Sequence, residues 1–404
     1  MRFRYSVGEN GKLAKAAVVY TSDEHGINYD DIDKEAISIV QRLKDAGHES
    51  YIVGGAVRDL ILKKKPKDFD IVSEAYPSRI KKIFRNSRII GRRFKLVHVY
   101  FGPRIFEVST FRSLKDGLTS NTFGNIRDDV FRRDFTMNAL FYDPEQQVVV
   151  DYVGGMDDIR SKRVRPIIPL ATIFKDDPVR LIRAVKYSAA TGFTLPLSLK
   201  WKIKKQSPLL AAVSPSRLTE EILKIINSPQ ADLIVKALDD IGLYAYLQPQ
   251  AAQLMKGNPL FRHRYLQSMT ASAQKTLRNI EGESLGALIN DYLEDTIDWE
   301  RGISENYKIG YSSARNFVLP MNPPRFELDY AVRRFFAAHG ITIKKSHLTD
   351  WTKRGSPPPA RETESTTAAA AHHRRRRHKR GKNRGTGSGD QPEKPSLPGT
   401  EHDA

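Results

Sequence analysis

Residues 51–72 read YIVGGAVRDLILKKKPKDFDIV, and the order of residue types within this stretch decides the architecture. Tyr51, Ile52 and Val53 form a short apolar strand. Gly54-Gly55 makes a turn whose bare backbone can approach a phosphate closely, and Ala56 to Leu62 reads as the helix behind it. Asp68 and Asp70 then flank Phe69. On an extended strand alternate side chains share a face, so both carboxylates point one way while Phe69 points to the core. That spacing suits one or two magnesium ions, which take a few carboxylate oxygens and complete their shell with phosphate oxygens. A glycine pair before a helix is usually only a turn, and D-x-D alone is usually a solvated strand end. Found together, they point to metal-dependent phosphate chemistry. A P-loop is excluded, since no Gly-Lys-Ser/Thr follows the glycines.

The chain carries 66 Lys plus Arg against 47 Asp plus Glu, a formal net charge of +19. Such an excess favours a polyanionic partner through counterion release and steering. Cysteine is absent, which removes disulfides and thiolate metal sites and is compatible with a reducing compartment. The start, MRFRYSVGENGKLAK, lacks the apolar run of a signal peptide, and no stretch approaches the length of a membrane span. These features predict a cytoplasmic protein with no membrane association.

Working outward, residues 1–29 mix charge and glycine around one apolar patch and read as a weakly structured extension, within an N-terminal segment 1–32. Asp33 to Ala46 places Ile37, Ile39, Val40 and Leu43 on one helical stripe, with Gly47 as a stop signal. Pro77 to Phe84 reads as a second helix. Ile89 to Val99 and Ile105 to Phe111 read as two strands around a turn at Gly102-Pro103. The pattern predicts a mixed α/β head over 33–165. From Asp176 to about Gly340 helical periodicity takes over, giving a neck at 166–228 and a body at 229–355. Residues 356–404, with Arg374 to Arg377, are too poor in apolar residues to build a core.

GGAVRD followed by DFDIV is similar to the signature of the polynucleotide adenylyltransferase and CCA-adding superfamily. Further motifs occur in that family's order. RRFKLVHV and FEVSTFR, DDVFRRDFTMNAL, and DDPVRLIRAVK resemble, in turn, a bacterial poly(A) polymerase segment, the RRDFT-N-AL element and the nucleotide-recognition helix. The chain thus resembles bacterial poly(A) polymerases, within the class II tRNA nucleotidyltransferase/poly(A) polymerase family, over roughly 33–340. The resemblance implies an α+β fold with a polymerase-β-like head, a helical neck and body, and a disordered basic tail.

It also implies roles. Asp68 and Asp70 would hold magnesium in a two-metal site, with Glu107 matching a third carboxylate on a neighbouring strand. Asp134 is open to two readings, positioning an arginine or completing the acidic cluster. Gly54, Gly55, Arg58, Arg132 and Arg133 would meet the phosphate and sugar of ATP. On the recognition helix, Asp177 and Arg180 would read the base edge, with Arg183 and Lys186 on the same cationic face. The family writes the start of that helix Glu-Asp-x-x-Arg, where Asp176 stands here, and Asp176 or Asp177 reads equally well as a helix cap. His98 reads as an ordinary strand residue, and Ser214 to Glu221 and Asp151 to Gly155 as structural. In the C-terminal part, Arg325, Arg333 and Arg334 among aromatics resemble an RNA-binding surface, to which Arg374, Arg375, Arg376 and Arg377 would add phosphate contacts. The implied activity is template-independent transfer of AMP from ATP to RNA 3′ ends, of mRNA first and tRNA second. A CCA-adding enzyme and a noncatalytic RNA-binding relative are the alternatives.

Overall fold

The computed structural model describes residues 2–7, 13–91, 95–113, 122–273 and 280–344. Its head is built on nine strands: β1 (Arg2–Val7), β2 (Leu13–Tyr20), β3 (Ser50–Val53), β4 (Asp70–Ser73), β5 (Ser87–Ile90), β6 (Leu96–Phe101), β7 (Arg104–Thr110), β8 (Leu140–Asp143) and β9 (Val148–Asp151). They form one sheet in the order β1-β2-β9-β8-β3-β4-β7-β6-β5. All pairs are antiparallel except β4 with β7, which is parallel.

The central strands are apolar on both faces because both faces are covered. Every residue of β3, β8 and β9 is buried. Ile52, Ile71 and Tyr142 join the larger core with Ile39, Val40 and Leu43 of α2 (Lys34–Asp45), after the short α1 (Ser22–His25), and with Val57 and Leu60 of α3 (Gly55–Ile61). Tyr51, Val53, Val72, Phe141 and Val150, of opposite parity, fill a second core on the other face. Phe69 packs against the first core, as its position between two aspartates predicts. The head is completed by α4 (Pro77–Ile83), α5 (Ile126–Arg132) and α6 (Gly155–Arg160).

After Arg165 the described residues form no further strand beyond isolated bridges at Pro166 and Thr194, and the α-helices are α7 (Ile173–Asp176), α8 (Val179–Thr191), α9 (Leu197–Gln206), α10 (Pro215–Ile226), α11 (Ala231–Ile241), α12 (Tyr244–Leu247), α13 (Pro249–Gly257), α14 (Pro259–Ala273), α15 (Ile280–Glu294), α16 (Ile303–Phe317) and α17 (Arg325–Ala338). Buried residues of the helices continue the larger core without a break from α8 to α17. No helix among the described residues is long and apolar enough to cross a membrane.

Two expectations differ from the structure. Residues 1–29 are not weakly structured throughout: β1 and β2 form a hairpin, and Val18, Val19 and Tyr20 pair with Asp151, Val150 and Val149. An open edge at β9, far away in sequence, gives this stretch its partner. Residues 89–99 are not one strand but parts of two, with Ile90 opposite Leu96 across a reversal that begins at Gly91.

One polar cap ties the head's far end to its site. Asp151 is 1% exposed, and its carboxylate accepts the backbone N–H groups of Val153, Gly154, Gly155 and Met156 at 2.8–3.0 Å. The turn must be glycine at 155, where an added Cβ would lie 2.3 Å from the Thr136 carbonyl oxygen. That close approach seats Thr136–Asn138, from which Asn138 holds two arginines described below. Asp151→Ala strands several buried donors and is expected to cost about 3 kcal/mol in urea unfolding. Asp151→Asn keeps one acceptor and is expected to lose less; equal stability of all three proteins would contradict this cap.

Candidate active site

The register of β3 against β4 sets Val53 opposite Asp70, so the Gly54 turn leaves the sheet beside that carboxylate. Gly54 has φ 76° and ψ −134°, a conformation that side chains other than glycine's resist. A Cβ there would sit 3.7 Å from Asp70 Oδ2 and 3.8 Å from an Arg133 terminal nitrogen, so turn, acid and guanidinium meet at one point. Parallel pairing of Ile71 with Val108 brings Glu107 alongside Asp70. Glu107 also faces His98 across β6, with Nε2 3.5 Å from Oε1.

Three carboxylates therefore gather at one end of β4 and β7. Asp70 is exposed to solvent although protein is packed closely around its carboxylate. That burial, with the negative charges of Asp68 and Glu107, pushes its carboxyl up to about 6, against the opposing pull of Arg133 and Lys224. Lys224 belongs to α10, so the neck supplies one cation facing the head's acids. Among the described residues no group of three or more acidic or histidine side chains is close enough to enclose a metal. An open site built on Asp68 and Asp70 fits magnesium, which keeps water and takes phosphate oxygens, and does not fit a closed structural ion. A cavity of ≈ 580 Å³ touches Asp68 from another side, among Asp33, Lys65, Lys67 and Arg104. It includes neither Asp70 nor Gly54.

The arginines expected at the nucleotide are mostly held by protein. Arg133 donates through Nε and a terminal nitrogen to Asp129 Oδ2 at 3.1 and 2.9 Å and to the Asn138 carbonyl at 3.2 Å. Arg58 donates to Asp59 at 2.9 Å and to Asn138 Oδ1 at 2.7 Å. Arg132 is half-buried near Arg112 and Arg180, and burial together with the Arg112 charge pulls its pKa down. Asp134 does not join the acidic cluster: it is buried, and its Oδ2 lies 2.9 Å from Arg183. That contact, from an Arg183 terminal nitrogen, is an ion pair without hydrogen-bond alignment, since Asp134 Oδ2 has no hydrogen-bond partner. Of its two sequence readings, positioning an arginine is the one this geometry supports.

The cationic face expected on α8 is largely covered by protein. Arg180 and Lys186 are 7% and 8% exposed, because α10 and the head cover that face. Arg180 donates to the carbonyls of Ile173 at 3.4 Å and Arg132 at 3.2 Å, and burial lowers its pKa. Burial alone would also lower Arg183, but Asp134, Tyr187 and Glu221 more than offset it and raise the net value. Lys186 donates to Glu221 of α10 at 2.6 Å. Asp177 accepts from Val179 N at 3.3 Å, a capping contact, and pairs with Arg217 of α10 at 2.9 Å.

Sequence reasoning missed four residues here: Tyr187, Arg217, Glu221 and Lys224. Tyr187 stands under three cations, with Arg58, Arg183 and Lys186 at 5.5, 5.7 and 5.3 Å from its ring centre, and its hydroxyl accepts from Arg183 at 3.0 Å. Only its place one residue after Lys186 could have signalled this. In the body, Arg325 and Arg334 are exposed, but Arg333 is tied to Asp329 at 2.7 Å and to the Ile343 carbonyl at 3.1 Å. These contacts tie α17 to the segment that follows it. Arg374 to Arg377 lie outside the described residues.

Residues 50–165 match the family model described as "Poly A polymerase head domain", and 192–255 match "Probable RNA and SrmB- binding site of polymerase A". Over these segments the chain is similar to poly(A) polymerases and CCA-adding enzymes alike. It is 38% identical over 269 residues to Poly(A) polymerase I of Escherichia coli O157:H7, covering 63% of this chain and 58% of that protein. It is 36% identical over 220 residues to the CCA-adding enzyme of Geobacillus stearothermophilus, covering 53% and 54%. The solved structure of the Bacillus stearothermophilus CCA-adding enzyme in complex with CTP aligns with TM-score 0.52 and 26% identity, over 80% of this chain and 89% of that one. The chain thus spans somewhat over half the length of the curated relatives it matches.

The raised Asp70 carboxyl gives a signed prediction. Its folded pKa of about 6 lies above the usual value of 3.8, so the fold favours the protonated form. The stability this contributes is fully present below about pH 4 and lost as pH rises through about 6. Without metal, Asp70→Asn is therefore expected to stabilise the protein at pH 8 by roughly 1 kcal/mol, a figure reduced for solvent screening. The gain is expected to vanish by about pH 4. Added magnesium should raise the melting temperature of the parent and not of the variant. A variant less stable at pH 8, or a parent indifferent to magnesium, would contradict the site.

Proposed function

We propose that this chain transfers AMP from ATP to RNA 3′ ends and releases pyrophosphate. The observation that carries the reading is the meeting of Asp68, Asp70 and Glu107 with the Gly54-Gly55 turn and Arg133. Asp68 and Asp70 are the residues that would hold magnesium. When bound, the metal would lower the pKa of the RNA 3′-hydroxyl and offset charge on the α-phosphate.

The chain's own residues do the rest. The Gly54-Gly55 backbone lets the triphosphate come close to the sheet, and Arg133, fixed by Asp129 and Asn138, sets positive charge beside it. Lys224, exposed on α10, adds charge from the neck side. The 3′-oxygen forms its bond to the α-phosphorus as the bond to the bridging oxygen breaks, and the electron pair leaves with pyrophosphate. No covalent enzyme intermediate is needed. Base choice falls to the start of α8. Asp177, half-buried and paired with Arg217, offers a carboxylate to an exocyclic amine, and Arg180 is held beneath it by two carbonyls.

The polyadenylating reading is supported by 38% identity over 269 residues to Poly(A) polymerase I, against 36% over 220 residues to a CCA-adding enzyme. It is further supported by the arginine-rich RRFKLVHV segment. The second reading, CCA addition, is favoured by coverage of 89% of a CCA-adding enzyme's chain.

One assay separates them: the purified chain is offered ATP, CTP or both, with an oligoadenylate and with a transfer RNA lacking its terminal CCA. Polyadenylation predicts extension of both RNAs with ATP alone. Addition that needs CTP and stops after three nucleotides would move the assignment to CCA addition. Asp70→Asn is expected to lower addition by orders of magnitude, and near-normal turnover in that variant would remove the metal role. Asp177→Ala is expected to blur the preference for ATP over CTP and GTP. Unchanged preference, with a loss of about 1 kcal/mol in stability, would leave Asp177 only its capping contact.

A further inference from the structure

Helix α9 has the sequence LSLKWKIKKQ, with no acidic residue. Leu199 and Ile203 make its buried side. The other side leaves Leu197 84% and Trp201 60% exposed, one turn apart. Lys200, Lys204 and Lys205 are exposed around them, and Lys205 Nζ stands 4.8 Å from the centre of the Trp201 ring. Exposed lysines alone are a solvated face, and a single exposed leucine is ordinary. An indole left in water beneath lysines joins a stacking platform to phosphate-neutralising charge, which is how proteins hold single-stranded nucleic acid without reading its sequence. Two apolar residues are too few to anchor a helix in a lipid surface or to fill the centre of a protein interface.

We infer that the outer face of α9 binds single-stranded RNA, with one base stacked on Trp201 and neighbouring phosphates met by Lys200, Lys204 and Lys205. The choice of polymer rests on the nucleotidyl-transfer reading. The segment lies within the 192–255 match, and the named face adds the residues, the mode of contact and the strandedness. Its place sets what part of the RNA it meets. The nucleotide-facing residues sit in the first turns of α8, and α9 follows the other end of that 13-residue helix, about 20 Å away along its axis. The face therefore holds RNA upstream of the reacting 3′ end.

The test uses the full chain and its variants Trp201→Ala, Trp201→Phe and the double variant Lys204→Glu with Lys205→Glu. Binding is measured by fluorescence anisotropy with a long oligoadenylate, a duplex RNA of equal length and phosphatidylglycerol vesicles. Trp201→Ala is expected to weaken oligoadenylate binding about tenfold while Trp201→Phe keeps most of it. The lysine double variant is expected to lower the slope of log affinity against log salt by at least about 1.4. All these side chains are exposed, so melting temperatures should not move, and addition to a primer of only a few nucleotides should stay at the parent's rate. Unchanged oligoadenylate affinity would overturn the inference, as would equal losses on duplex RNA or a loss confined to vesicles. If the parent adds no nucleotide to any primer while Trp201→Ala still loses oligoadenylate binding, the enzymatic reading fails and the binding face stands.

Discussion

The pairing of Val53 with Asp70 is the constraint on which the site depends. It leaves no distance between the glycine turn and the acid, and the parallel pairing of β4 with β7 adds Glu107 beside them. Burial of Asp70 beside the like charges of Asp68 and Glu107 disfavours its ionised form and pushes its carboxyl up to about 6. The sheet tolerates it because its hydrophobic strands are buried on both faces and fix the register from either side. A cation bound between the carboxylates would relieve that repulsion.

The neck is joined to the head by charge as well as packing. Arg183 reaches Asp134, and the Arg180 guanidinium reaches the Arg132 carbonyl. Within the neck, Lys186 reaches Glu221 and Asp177 reaches Arg217, both across to α10. Buried pairs of this kind contribute little net stability, since desolvation offsets most of their attraction, but removing one partner is costly. Their value lies in position. They hold α8 against α10 and the head, with Lys224 within electrostatic reach of Asp70 and with Tyr187 packed edge-on against Phe135 at the contact.

Much of the head was legible because its signals are local. The Gly-Gly turn, the alternation around Phe69 and the stripe of Ile39, Val40 and Leu43 each specify their element within a few residues. What escaped was contact between distant segments. Nothing near residues 16–20 shows that β9 offers an open edge, and nothing in RRDFT shows that Asp134 meets Arg183 rather than the acids. Glu221 and Lys224 read as ordinary polar positions of an amphipathic helix until α10 is laid against α8. The burial of Arg180 escaped for the same reason: periodicity finds the apolar face of a helix, but not whether its polar face is also covered.

The central claim is that Asp68 and Asp70 hold a catalytic cation beside the Gly54-Gly55 turn. The most direct measurement is a crystal grown with manganese and a non-hydrolysable ATP analogue, with the metal located by its anomalous scattering. The account predicts a peak between the Asp68 and Asp70 carboxylates, in contact with phosphate oxygens that approach the Gly54 backbone. A bound nucleotide with no metal at those carboxylates, or a metal held instead among Asp33, Lys65 and Arg104 behind Asp68, would contradict it.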